Sequence, residues 1–109
     1  MGTVAHRPRA WLEWAETEEG ELVVRIGGEL DLDSVPGVDP AVDGLIARHN
    51  GRHVTVDLGE LSFFDSSGVT VLIRIANGSG SMRIRHANPA VRRVIEVLGL
   101  ASWLGLESD

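Results

Sequence analysis

Between His53 and Ala76 the spacing of apolar residues changes period, and that change restricts the chain to few architectures. Val54, Val56 and Leu58 alternate with His53, Thr55 and Asp57, the period-two signature of a strand. After an apolar bridge, Leu61 to Phe64, and the tetrapeptide Asp65-Ser66-Ser67-Gly68, the apolar residues Val69, Leu72, Ile73 and Ala76 recur at helical spacing. A strand that hands over to an amphipathic helix is one half of a βαβ unit, and it needs a sheet beside it and a helix layer above it.

The rest of the chain supplies both. Ala10 to Thr17 and Glu21 to Ile26 flank the turn Glu18-Glu19-Gly20 and read as a hairpin, with Leu12 and Trp14 on the opposite face from Trp11. Gly27-Gly28-Glu29-Leu30-Asp31 is expected to lead out of that second strand. Ser34 before Val35-Pro36, or Asp39 before Pro40, is placed to cap a helix carrying Val42, Leu45 and Ile46, and Asn50-Gly51 ends it. The breakers in Val35-Pro36-Gly37 predict a late start for this helix, and Asn77 to Ser81 predicts a short one after Gly68. Met82 to His86 reads as a fourth strand. Asn88-Pro89 opens a last helix with Val91, Val94, Ile95 and Leu98, ended by Gly99, and Leu100 to Leu106 is expected to fold back over the core. The order β-β-α-β-α-β-α predicts a single α/β domain with a mixed sheet, an N-terminal β-hairpin and flanking helices over residues 10–109, after a flexible tail at residues 1–9.

Composition narrows the function. With 109 residues, about two-thirds of the unfolded chain's surface is buried on folding, enough for one core but not for a deep substrate cavity. The net charge is −6 and all ten basic side chains are Arg, which argues against nucleic-acid binding, a role that draws on a basic surface. There is no cysteine, so disulfides, thiolate nucleophiles and cysteine-ligated zinc are excluded. No apolar run approaches the ~20 residues that span a bilayer, and Met1 to Arg9 lacks a signal core, so a cytoplasmic protein is expected. His49 and His53 have the spacing of a helical metal pair, but Asn50-Gly51 interrupts the helix between them; neither a metal nor a cofactor is expected.

Asp65-Ser66-Ser67-Gly68 is the segment that can carry chemistry. A serine at a helix N-terminus is a natural cap, and by itself the tetrapeptide is read most simply that way. The same position suits a phosphoserine, because a helix start presents free N–H groups and partial positive charge. Gly68 is expected to keep the first turn uncluttered. A hydrolytic role for Ser66 lacks an assignable base and oxyanion hole, so no enzyme is predicted. Arg92 and Arg93 open the last helix against the dipole preference, either as a solvated face or as a docking patch. Trp11, Trp14 and Trp103 read as core or edge packing, with an exposed one pointing to an interface.

The run from His53 through Asp57-Leu58 to Asp65-Ser66-Ser67-Gly68 resembles the signature of STAS domains of the anti-sigma factor antagonist class. Gly28-Glu29-Leu30-Asp31 resembles the segment after that family's second strand. Asn88-Pro89-Ala90-Val91-Arg92-Arg93 with Val97-Leu98-Gly99-Leu100 resembles its last helix. The resemblance implies a bacterial partner-switching regulator in which Ser66 is the phosphoacceptor and Asp31, Asp65, Ser67 and Gly68 shape the site. Asp31, Ser66, Val69 and Thr70 would meet the partner, a kinase-like anti-sigma factor that phosphorylates the same serine. The free chain would be a monomer or a weak homodimer, for which Trp103 and Leu104 offer apolar surface. Two alternatives stay open: a STAS subunit of a signalling or lipid-transport assembly that is not phosphorylated, and a small-ligand sensor.

Overall fold

The hairpin forms because Thr17 closes it from both sides. Its N–H donates to the Glu21 carbonyl at 2.8 Å, its hydroxyl accepts from the Glu21 N–H at 3.0 Å, and Gly20 takes the left-handed conformation (φ +85°) that turns the chain. In this computed structural model, which describes residues 9–108, the turn joins β1 (Ala10–Glu16) to β2 (Leu22–Leu30), and α1 (Val35–His49), β3 (His53–Phe64), α2 (Ser66–Asn77), β4 (Ser81–Arg85), α3 (Pro89–Val97) and α4 (Ala101–Leu104) follow. The sheet runs β1-β2-β3-β4, with the first pair antiparallel and the other two parallel. This is the mixed α/β architecture expected from the alternation of periods.

Register explains why one face of the sheet is oily and the other charged. Trp14, Val24, Val56 and Ile84 stand opposite one another across all four strands and face the helices. One residue earlier or later in each strand, Glu13, Arg25, Asp57 and Arg85 form a row of alternating sign on the other face. Arg25 pairs with Glu13 at 2.8 Å and also with Glu60, and Arg85 lies 3.6 Å from Asp57. Trp11 covers Gly27 on this outer face, with the Arg25 guanidinium 5.5 Å from its ring centre. Leu22, Val24, Ile26, Val54, Val56, Leu58, Val71, Leu72, Ile84 and Ile95 make up the centre of the core.

Two strands are longer than their sequence predicts. Gly27 to Leu30 continues β2, and Leu61 to Phe64 continues β3 rather than bridging out of it. The cause is Gly28, at φ +87°, between two register shifts, Arg25/Gly27 and Gly28/Glu29. These irregularities re-aim the strand without ending it, so Glu29 still pairs with Phe63 and Leu30 with Phe64. The helix expected to start late starts at Val35, tolerating Pro36 in its first turn and Pro40 within. The helix expected to be short, α2, runs for 12 residues from Ser66 and stops where the Gly/Ser turn begins. The C-terminal segment folds back as expected. Leu104 is fully buried, and Ile84 pairs with Leu106 through bonds from Ile84 N–H to the Gly105 carbonyl (2.7 Å) and from Glu107 N–H to the Ile84 carbonyl (2.9 Å). Leu104 is therefore core and is withdrawn from the expected dimer surface, whereas Trp103 is 55% exposed. The expected N-terminal tail lies outside the described residues except for Arg9, which is anchored: its carbonyl accepts from Glu29 N–H at 2.7 Å.

Gly28→Ala tests the bulge. A Cβ there would lie 2.1 Å from the Arg9 carbonyl oxygen, at a backbone angle L-residues avoid. We expect a loss of about 2 kcal/mol or more in urea unfolding; an unchanged midpoint would mean that the end of β2 is not held by this residue.

Candidate functional site

The end of β2 and the end of β3 lie side by side, and the site is what the chain does as it leaves them. From β2 it enters a tight loop. The Asp31 carboxylate accepts from the N–H groups of Asp33 (3.1 Å) and Ser34 (3.0 Å), while the Ser34 hydroxyl accepts from Asp31 N–H (2.9 Å) and donates to the Glu29 carbonyl (2.6 Å). Ser34 precedes α1 but spends its side chain on this loop and does not cap the helix. Arg9 reaches the same place, bonding Asp31 and lying 3.4 Å from Glu29 and 3.7 Å from Asp33. Burial opposes ionisation of Asp31; the donors from Ser34, the Arg9 charge and the Asp33 N–H outweigh it and hold the carboxyl below its ordinary value of 3.8.

From β3 the chain enters α2 through Asp65. The Asp65 N–H donates to the Leu30 carbonyl at 3.3 Å, which ties this turn to the start of the Asp31 loop. Its carboxylate is the N-cap, accepting from Ser67 N–H at 2.8 Å and Gly68 N–H at 3.4 Å. Ser66 is therefore the first helical residue and not the cap. It is exposed, and no hydrogen bond to another described residue engages its hydroxyl. The simple capping reading of the tetrapeptide holds for Asp65 and fails for Ser66.

Gly68 does something other than keep the first turn open to solvent. It is buried, and a Cβ on it would lie 2.6 Å from Phe64 Cδ2 and 2.9 Å from the Leu30 carbonyl oxygen. Only a residue without a side chain lets α2 start this close to the end of β2.

Comparison with known proteins agrees with this geometry. The chain matches the family model described as "Mlab, STAS domain" over residues 14–106. It is 35% identical to an anti-sigma F factor antagonist of Paenibacillus polymyxa over 89 residues, 78% of this chain and 76% of the relative. The chain belongs to the STAS-domain, anti-sigma factor antagonist family. Two solved structures share its fold. One is an anti-sigma factor antagonist from Mycobacterium paratuberculosis (TM-score 0.81, 22% identity, covering 97% of this chain and 92% of that one). The other is the Bacillus cell fate determinant SpoIIAA in its phosphorylated form (TM-score 0.59, 22% identity, 90% and 92%). Members of this family are regulators, not enzymes.

Within the STAS domain the structure gathers most of the residues expected at the site and removes one. Asp31, Asp65, Ser66, Ser67 and Gly68 meet where β2, β3 and α2 converge. Thr70 is exposed one turn along α2, its hydroxyl donating to the Ser67 carbonyl at 2.5 Å. Val69, expected on the docking face, is 2% exposed and packs in the core, because Gly68, Val69, Val71, Leu72 and Ile75 together form the buried side of α2. One residue at the site, Arg9, escaped the sequence reading, and a second, Arg93, reads there either as a solvated face or as a docking patch. Arg9 lies in the segment expected to be a loose tail, and its contact with Asp31 is 22 residues away in sequence. Arg93 lines, with Ser66, Ala90, Val94, Val97 and Leu98, a groove of about 380 Å³ between the start of α2 and α3. The paired reading of Arg92 and Arg93 divides: Arg92 is turned inward, donating to the Glu107 carbonyl at 2.5 Å and lying 3.7 Å from Glu96, while Arg93 is exposed. His49 and His53 take separate partners, Arg52 at 3.1 Å and Ser81 at 2.6 Å. No helix among the described residues is long and apolar enough to cross a membrane.

Gly68→Ala should lower stability by about 1–3 kcal/mol despite alanine's better helix propensity, since Phe64 and a backbone carbonyl must both shift; a gain in the unfolding midpoint would contradict the close approach. A second expectation concerns acid. A carboxyl held below its ordinary value stabilises the fold above that value, and the contribution fades as the pH drops through the folded-state pKa. Between about pH 5 and about pH 3, wild type should therefore lose stability relative to Asp31→Asn. Parallel curves in urea titrations would show that Asp31 is not held as an anion.

Proposed function

We propose that this protein is an anti-sigma factor antagonist that binds a kinase-like anti-sigma factor in the cytoplasm and is switched off by phosphorylation of Ser66. The observation that carries the reading is the division of work at the start of α2: Asp65 accepts from the Ser67 and Gly68 N–H groups, and the Ser66 hydroxyl is left exposed and unbonded to any other described residue. Ser66 can gain a phosphoryl group with the helix cap intact. Family membership and the antagonist relative from Paenibacillus support the partner class, and SpoIIAA, solved in a phosphorylated form on the same fold, supports the chemistry.

The docking surface in this reading comprises Ser66, Thr70 and the loop that follows Asp31, where Leu32 is 72% exposed. Phosphorylation transfers the γ-phosphoryl group of ATP to Ser66 Oγ and releases ADP. The new group carries about −1.5 to −2 charges near neutral pH. Placed in a close contact it meets desolvation and, beside Asp31 and Asp65, like charge. A weakening of a few kcal/mol follows, and each ~1.4 kcal/mol is a factor of ten in affinity. Because the loop at Asp31 and the cap at Asp65 are already held by hydrogen bonds, the switch works by changing surface charge on a rigid frame.

The test combines modification with binding. Incubation with the cognate anti-sigma factor and ATP should place one phosphate on Ser66 by mass mapping. Ser66→Ala should retain partner affinity, and Ser66→Asp should weaken it by about tenfold or more. Absence of the phosphate, or equal affinities for the two variants, would sink the switch.

A further inference from the structure

The groove beside Ser66 is apolar on its floor and carries one cation on its wall. Ala90, Arg93, Val94 and Val97 recur at intervals of three and four along α3, so they share the face of that helix turned toward the start of α2. Val97 and Leu98 are exposed there, at 72% and 48%. Arg93 makes no ion pair or hydrogen bond with any described residue, in contrast to Arg92, Arg9, Arg25, Arg52, Arg74, Arg83 and Arg85, each of which has a carboxylate. The other charged groups at this end are already engaged: Asp65 caps α2, and Asp31 is held by Arg9 and its own loop. An unpaired guanidinium and an unpaired serine hydroxyl thus line one groove.

We propose that a phosphate on Ser66 is taken up within the same chain by Arg93, and that this pair closes the groove over Val94, Val97 and Leu98. The inference rests on Ser66 being the phosphoacceptor and adds to it the group that receives the phosphate. Guanidinium and phosphate match in charge and in geometry, since two parallel N–H donors meet two phosphate oxygens. Unphosphorylated, the groove offers a partner an apolar floor flanked by a hydroxyl and a cation. Once phosphorylated, the bridge from α2 to α3 covers that floor, so that apolar contact is lost together with the change in charge. The covalent step is the phosphoryl transfer already described; the latch itself forms no covalent bond.

Phosphoserine installed at position 66 of the full chain during translation makes the test independent of any kinase. The readout is the second pKa of the phosphate, followed by phosphorus NMR against pH. A neighbouring cation favours the dianion, so the pKa should lie lowest in wild type, rise by roughly half a unit or more in Arg93→Gln, and fall between them in Arg93→Lys. Equal values in wild type and Arg93→Gln would overturn the latch. Should Arg93→Gln fail to fold, the wild-type Arg93 side-chain Nε–H resonance decides: it should move on phosphorylation, and an unmoved resonance overturns the latch. The two ideas fail separately. A kinase that leaves Ser66 unmodified refutes the switch, whereas an Arg93-independent phosphate pKa refutes the latch and leaves the switch standing.

Discussion

The site depends on one close approach, that of Gly68 in the first turn of α2 to the Leu30 carbonyl and the Phe64 ring. Parallel pairing of β2 and β3 brings Leu30 opposite Phe64. Leu30 then has two neighbours to accommodate: its carbonyl accepts from Asp65 N–H, and the helix begins against it. With a side chain at position 68 the helix would have to move away, and Ser66 with it. The Asp31 loop follows Leu30 directly, so the same contact sets the spacing between the loop and the helix start. A packing constraint of a fraction of an ångström therefore decides which groups can present themselves together to a partner.

Much of this was legible before any coordinates. The change of period between Val56 and Leu72 located β3 and α2, and Asn88-Pro89 announced α3, whose cap is the Asn88 side chain accepting from Val91 N–H at 2.9 Å. Local signals sufficed because capping and period are local physics. What escaped was non-local. Gly27-Gly28 reads as a break because glycine weakens strands, yet here it carries β2 through a bulge, with Trp11 of the neighbouring strand packed over Gly27. Leu61 to Phe64 reads as a bridge because its apolar residues do not alternate as those from Val54 to Leu58 do; it remains a strand because β2, bent by the bulge, stays beside it. Gly68 reads as an opening in the surface, and only the position of Leu30 reveals it as a contact. Val69 is a different case. Helical spacing already puts it on one stripe with Leu72, Ile73 and Ala76, and its burial follows from that local period, whereas its docking role came from the family resemblance alone.

Charge is distributed in a related way. An acidic chain without lysine has few cations to spend, and most of its described arginines are tied to carboxylates. Some of these pairs sit on the open face of the sheet, in a row whose sign alternates from strand to strand and so favours the observed register. Others join elements: Arg74 on α2 reaches Asp39 and Asp43 on α1, holding the two helices together. Exposed pairs of this kind add little stability one by one. Their larger effect is on where free charge is left, and against that background the unengaged guanidinium of Arg93 beside Ser66 is distinctive.

A switch based on one phosphate needs a scaffold that does not absorb it. If the neighbouring aspartates were unpaired, an added dianion would repel them, and part of its effect on a partner would be spread over small shifts at the site. In this chain each competing role is already filled. Asp65 caps, Ser34 and Asp31 brace the loop, Arg9 offsets the charge of Asp31, and Gly68 locks the helix start to the sheet. The hydroxyl of Ser66 is what these assignments leave over, and a modification there acts on the surface with little structural work done elsewhere. In the proposed switch, partner recognition and its reversal can share one residue, because the groups that frame the hydroxyl are already engaged before any phosphate is added.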